Sequence, residues 1–141
     1  MSRKILLPID LGDPKGTARP LAEALTLLGP QGVLHVVSVF PDFGLSQVGG
    51  YFRKDYEKEA LKALGKALSD WTAAHVPDGV EFHPHVLHGT IYDEILRAAD
   101  KLAVDVIVIG ANRPALRDYL LGPNAARVVR HANCSVYVVR G

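Results

Sequence analysis

The stretch from Val104 to Arg140, VDVIVIGANRPALRDYLLGPNAARVVRHANCSVYVVR, decides how this chain folds. Val104-Asp105-Val106-Ile107-Val108-Ile109 is an almost unbroken apolar run rich in β-branched residues. A strand covered on both faces reads that way, as in a parallel sheet. Gly110 ends the run, and a polar loop follows. Leu120-Leu121-Gly122-Pro123-Asn124 then leads into a helical pattern from Ala125 to His131, and a second β-branched run spans Ser135 to Val139. The order is strand, glycine-interrupted loop, helix N-terminus, strand. In an open α/β sheet, the backbone N–H groups at such a helix start make an anion site.

The same alternation extends back to the N-terminus. Lys4 to Ile9 (KILLPI) is a short apolar strand, and Pro8 within it predicts a strand end or a bulge. Leu11 to Gly16 is a turn by composition. A helix follows from Thr17 to Leu28, with Ala18, Leu21, Ala22, Leu25 and Leu28 on one face. Val33 to Val39 is a second buried strand. Phe40 to Arg53 shows no period, and an irregular segment of that length is either a lid or disordered. Lys54 to His75 is a long helix whose stripe of Tyr56, Ala60, Leu61, Leu64, Ala67, Leu68 and Trp71 faces the core. Val80 to Leu87 alternates and contains Pro84, which suits an edge strand. Gly89-Thr90-Ile91-Tyr92-Asp93 opens a helix that turns Ile91, Ile95, Ala98 and Leu102 inward. Alternating strands and helices predict a doubly wound, Rossmann-like α/β fold: a five-stranded parallel sheet with helices on both faces.

A length of 141 residues predicts one domain spanning 1–141. With 48% hydrophobic and 22% charged residues, the composition is that of a soluble globular protein. A net charge of +1 with no basic block argues against a nucleic-acid footprint. Cys134 is the sole cysteine, which excludes a disulfide framework and a thiolate metal cluster. The N-terminal apolar run ends at Asp10, too short for a signal peptide or a membrane span, so a cytoplasmic protein with no membrane partner is expected.

A doubly wound sheet binds ligands beyond the C-terminal strand ends, where strand order reverses. If the first and fourth strands flank that point, Asp10, Val36 to Ser38 and Gly110 to Asn124 converge there. Spacing alone equally fits a strand stop at Gly110 and a turn at Gly122. The chain lacks GxxxxGK[ST], GxGxxG and GxSxG, which argues against P-loop NTPase, dinucleotide oxidoreductase and serine hydrolase chemistry. Asp10 is followed by Leu11-Gly12, not by the acidic cluster of a phosphorylatable receiver domain. His83 and His85 share one strand face, with His88 close by, and two such imidazoles can share a metal. No carboxylate or cysteine is placed beside them by the pattern, so solvated histidines and no metal are the expectation. His35 and His131 read as structural histidines, and Cys134 as a small core residue.

Ile5-Leu6-Leu7-Pro8-Ile9-Asp10, Leu34-His35-Val36-Val37, Gly89, Val104 to Gly110 and Leu120 to Val136 together resemble the universal stress protein family over essentially the whole chain. Gly110-Ala111-Asn112-Arg113-Pro114 and Tyr119-Leu120-Leu121-Gly122 look most like its bacterial F/G branch. The resemblance implies a stress-response regulator that binds ATP, ADP or AMP, with or without Mg2+, and forms a homodimer, or a tetramer, through its last strand. Pro8 and Asp10 then lie beside adenine and ribose, and the Val36 backbone reads the adenine edge. Ile109 and Gly110 floor the site, and Gly122 with the helix start Pro123-Asn124-Ala125 holds the phosphates. The family's ATP-binding members carry G-x-x-G-x9-G-[S/T]. Here Arg113 replaces the second glycine, the spacing to Gly122 is one residue short, and Pro123 replaces the Ser/Thr. Proline suits the first helical position but removes an N–H and a hydroxyl, at about 0.5–1.5 kcal/mol per lost donor. Arg113 is the candidate cation to offset that loss. A non-nucleotide interaction protein and a slow ATPase or phosphotransfer enzyme remain as alternatives. No catalytic residue is assigned, and any metal contact of Asp10 is indirect, through a nucleotide-bound cation.

Overall fold

The computed structural model describes residues 3–41, 50–111 and 122–140. The apolar runs form β1 (Lys4–Pro8), β2 (Val33–Pro41), β3 (Glu81–Gly89), β4 (Val106–Gly110) and β5 (Ser135–Val139). Between them stand α1 (Pro14–Leu28), α2 (Gly50–His75), α3 (Ile91–Leu102) and α4 (Pro123–His131). All four strand pairings are parallel, in the order β3-β2-β1-β4-β5. Strand order therefore reverses between β1 and β4, as the sequence predicts.

Both faces of the sheet are covered. Ile5, Leu7, Leu34, Val36 and Val108 pack beneath Leu21, Ala24 and Leu28 of α1 and Leu68 of α2. Leu6, Val37, Ile107 and Ile109 pack on the other face beneath Ile95, Ala98 and Ala99 of α3 and Ala125 and Val128 of α4. A register slip of one residue would move each set to the wrong layer. Main-chain and side-chain bonds hold the register of β1. The Asp105 N–H donates to the Lys4 carbonyl (2.8 Å), and the Lys4 N–H donates to Asp105 Oδ2 (2.7 Å). The one charged residue in the apolar run thus clasps β1 to the start of β4.

Pro8 ends β1, and Pro84 lies on β3, an edge strand, as expected. Three boundaries differ from the sequence reading. α1 begins at Pro14 rather than Thr17, because Asp13 is its N-cap: a carboxylate oxygen accepts the Gly16 N–H (3.2 Å) and Pro14 occupies the first turn. Its buried face is Thr17, Leu21, Ala24 and Leu28, one position round from the predicted stripe, with Ala18 and Ala22 exposed. β2 runs on to Pro41 and α2 starts at Gly50, which shortens the irregular segment. Its remainder, 42–49, lies outside the described residues, and the lid assignment with it. On α2, Leu68 is fully buried but Tyr56 is 72% exposed, so the core stripe starts later than the periodicity suggests. Thr90 is the N-cap of α3, although its hydroxyl makes no capping bond.

The turn from α1 into β2 closes on Gly32, where an added Cβ would meet the Leu28 carbonyl oxygen at 2.1 Å and the Arg3 oxygen at 2.8 Å. Gly32→Ala is expected to destabilise the protein by about 1–3 kcal/mol. Urea unfolding followed by circular dichroism checks this, and an unchanged midpoint contradicts the packing.

Candidate functional site

Ending β1 and β4 side by side, with no strand continuing above them, leaves a cleft of about 200 Å³ at the reversal point. Pro8, Ile9, Ile109 and Gly110 form its floor. One wall is the start of α1, with Asp13, Gly16, Thr17 and Pro20. Ile91 and Ile95 of α3 supply apolar surface opposite, and Gly122, Asn124 and Ala125 bring in the start of α4.

The two sides differ in polarity. Asp10, exposed after β1, is held by a local turn: its Oδ1 accepts the Gly12 N–H (2.9 Å) and its carbonyl accepts the Asp13 N–H (3.0 Å). A fixed carboxylate of this kind accepts hydrogen bonds from hydroxyl donors. At α4 the polarity is opposite. Gly122 is the N-cap and offers no side chain, and Pro123 has no N–H. The Ala126 N–H bonds to the Gly122 carbonyl (3.0 Å), so the Asn124 and Ala125 N–H groups are left without an intrahelical partner. They carry the positive end of the α4 dipole, which favours an anion. Apolar surface, a hydroxyl acceptor and an anion donor therefore share one cleft.

Pro8, Asp10, Ile109, Gly110, Gly122, Asn124 and Ala125 of the predicted site all line this cleft. Val36 does not line it, since its side chain is fully buried in the core beneath α1 and α2. Pro123 opens α4 with an exposed side chain outside the lining, and Arg113 lies outside the described residues. Sequence reasoning missed the whole α1 wall. Reading Asp13-Pro14 as an N-cap and first turn, rather than as a turn alone, is the signal that finds it. Pro20 adds to that wall in a way composition does not show, because it has no N–H to give the Gly16 carbonyl within α1.

The histidines gather at the other end of the sheet. Pairing of β2 with β3 sets His35 opposite His83, and His35 Nδ1 lies 3.0 Å from His85 Nε2. The His35 and His83 rings stack at 5.4 Å, while His83 bonds to Glu81 at 2.8 Å. These side chains are partnered rather than merely solvated, and a carboxylate does stand beside them. Among the described residues, no three metal-ligating side chains converge on one point. Burial lowers the pKa of both His35 and His85, and the neighbouring imidazoles lower it further. Burial, followed by the charge of Asp100, raises that of Cys134 and keeps it a thiol. No helix of the described residues is long and apolar enough to cross a membrane.

The model of the universal stress protein family matches residues 1–140. Universal stress protein G of Shigella flexneri is 31% identical over 146 residues, covering 99% of this chain and all of that protein (100%). Among solved structures, the universal stress protein UspA from Lactobacillus plantarum superposes with a TM-score of 0.75 at 22% identity, over 98% of this chain and 97% of that one. A universal stress protein in complex with cAMP has a TM-score of 0.62 at 18% identity and 99% and 97% coverage. The universal stress protein from Archaeoglobus fulgidus in complex with dAMP has a TM-score of 0.54 at 24% identity and 96% coverage of both chains.

The histidine pair makes stability depend on pH. With their pKa values lowered by folding, His35 and His85 take up protons more readily in the unfolded chain. Stability is therefore full above the ordinary imidazole pKa of about 6.5 and declines as pH falls below it. His35→Gln is expected to flatten that decline. Urea midpoints measured from about pH 7.5 to pH 5 test it, and an unaltered slope refutes the assignment.

Proposed function

We propose that this chain, which belongs to the universal stress protein family, is a stress-response regulator that binds an adenine nucleotide at the β1–β4 cleft. The observation that carries this reading is the opposition, across one cleft, of the Asp10 carboxylate and the uncapped start of α4, with apolar isoleucine surface between them. A nucleotide has the matching parts: a flat base, a ribose with hydroxyl donors and an anionic phosphate. Complexes of other family members with cAMP and dAMP support an adenine ligand.

In this reading the base rests by Pro8, at the end of the strand pair that Val36 supports from below. Asp10 accepts from the ribose hydroxyls, and Ile109 and Gly110 lie beneath. The Asn124 and Ala125 N–H groups at Gly122 hold a phosphate, and Arg113 adds a cation from the β4–α4 connection. Pro123 withholds one donor, so ATP, ADP and AMP bind more weakly than at a site with a full set of donors. A bound Mg2+ accompanies the polyphosphates, with Asp10 within reach of its water shell. The protein acts as a homodimer, or as a tetramer of two such dimers, through β5. That strand is an edge of the sheet, with Tyr137 38% exposed on it and Val129 44% exposed on the adjoining α4.

The test is to purify the protein without added nucleotide, denature it, identify released small molecules by mass spectrometry, and titrate the emptied protein with ATP, ADP and AMP. Gly122 has φ −70° and ψ 166°, a conformation any residue adopts. Gly122→Val is therefore expected to keep the fold and lower affinity by at least about tenfold, because its side chain enters the phosphate end. Unchanged affinity in that variant removes the phosphate site. A parent protein that neither carries nor binds a nucleotide favours the second reading, an interaction protein whose site Pro123 has disabled.

A further inference from the structure

The cleft continues past Gly110. Beyond a saddle formed by Gly16, Pro20 and Gly110, a small hollow of about 20 Å³ opens between α1 and the end of β5, and those three residues line both spaces. A Cβ at Gly110 would meet Pro20 Cγ at 3.1 Å, so glycine keeps the saddle low. The hollow has room for about one oxygen atom, with the rest of a ligand lying over it in solvent.

Lys15, Arg19 and Arg140 surround this hollow. The protein as a whole is nearly neutral, with 16 basic and 15 acidic residues, so three cations here are a local feature. Among the described residues, no carboxylate stands within ion-pair distance of any of them. Glu23, one turn beyond Arg19, instead accepts the Tyr137 hydroxyl at 3.0 Å. Asp10 and Asp13 are tied to the Gly12 and Gly16 N–H groups. Arg19 is also positioned: its Nη1 donates to the Arg140 carbonyl at 2.6 Å, which pins the guanidinium against the end of β5. Three like charges gathered without a partner repel one another, and an anion among them removes that cost.

We propose that this hollow is the subsite for the distal phosphoryl groups of a nucleoside di- or triphosphate whose nucleoside end lies in the main cleft. The inference rests on the nucleotide reading above and adds selection by phosphate chain length. One phosphate reaches only the start of α4. A second and third pass over the Gly110 saddle to Lys15, Arg19 and Arg140, where guanidinium groups bind phosphate oxygens in pairs.

Calorimetric titration of the purified protein with ATP, AMP and inorganic triphosphate tests this, on the parent and on a Lys15→Gln, Arg19→Gln, Arg140→Gln variant. All three side chains are exposed, and the Arg140 carbonyl is retained, so the fold is expected to persist. The parent should bind ATP about tenfold or more tightly than AMP, and added salt should weaken ATP more than AMP. The variant should lose about that factor for ATP and less than about twofold for AMP. Equal affinities for ATP and AMP in the parent, or equal losses in the variant, overturn the subsite and leave nucleotide binding standing. Inorganic triphosphate binding as tightly as ATP shows a site for free polyphosphate and also overturns it. A parent that binds none of the three overturns both readings.

Discussion

β1 has no free side. It is bonded to β2 along one edge and β4 along the other, and Ile5, Leu6 and Leu7 are completely buried beneath helices on both faces. Such a strand satisfies its backbone only while both neighbours are in register, and its side chains fit only while both helical layers are in place. The reversal of strand order follows from this, because β2 and β4 carry the chain away from β1 in opposite directions. The cleft is what remains where the helical layers part above the reversal. The core thus determines the position of the site, and Asp10 reaches the cleft mouth because Pro8 ends the strand beneath it.

Within the cleft, backbone groups contribute more of the polarity than side chains do. The start of α4 offers N–H donors because Gly122 cannot cap and Pro123 cannot donate, while α1 is already capped by Asp13. Two helix starts facing one space therefore differ in character. The α1 end is quenched by its own carboxylate, and the α4 end is open to an outside anion. Pro123 narrows that opening without closing it, since the next two amides are unaffected.

Much of this was legible in the residues. The β-branched run to Ile109 and its glycine stop, the alternation of strands and helices, and Pro84 as the mark of an edge strand all follow from local preferences that tertiary packing then used. The α1 wall was not legible in the same way, because Asp13-Pro14 has the composition of a turn and of a helix cap alike. Side-chain periodicity placed the inner face of α1 one position off, since Ala18 and Ala22 are apolar enough to fit either side. The histidine cluster was beyond sequence reasoning for a different reason. His35 and His85 are 50 positions apart and meet only through the β2–β3 register, which alternation alone does not supply. Lys15, Arg19 and Arg140 meet in the same way, from opposite ends of the chain.

The reciprocal bonds between Lys4 and Asp105 join residues 101 positions apart. The other edge of β1 finds Val33 only 29 positions away, as the pairing of Lys4 with Val33 implies. Closing the longer loop costs more chain entropy than closing the shorter one, and contacts of high sequence separation are slow to form. The β1–β2–β3 half can therefore assemble while the β4 side of β1 still stands open, an unpaired hydrophobic edge of the kind that captures other chains. Asp105 closes that edge with a side-chain acceptor as well as a main-chain bond, at the first residue to arrive. The order in which this protein folds, and its exposure to aggregation during synthesis, follow from where one aspartate sits.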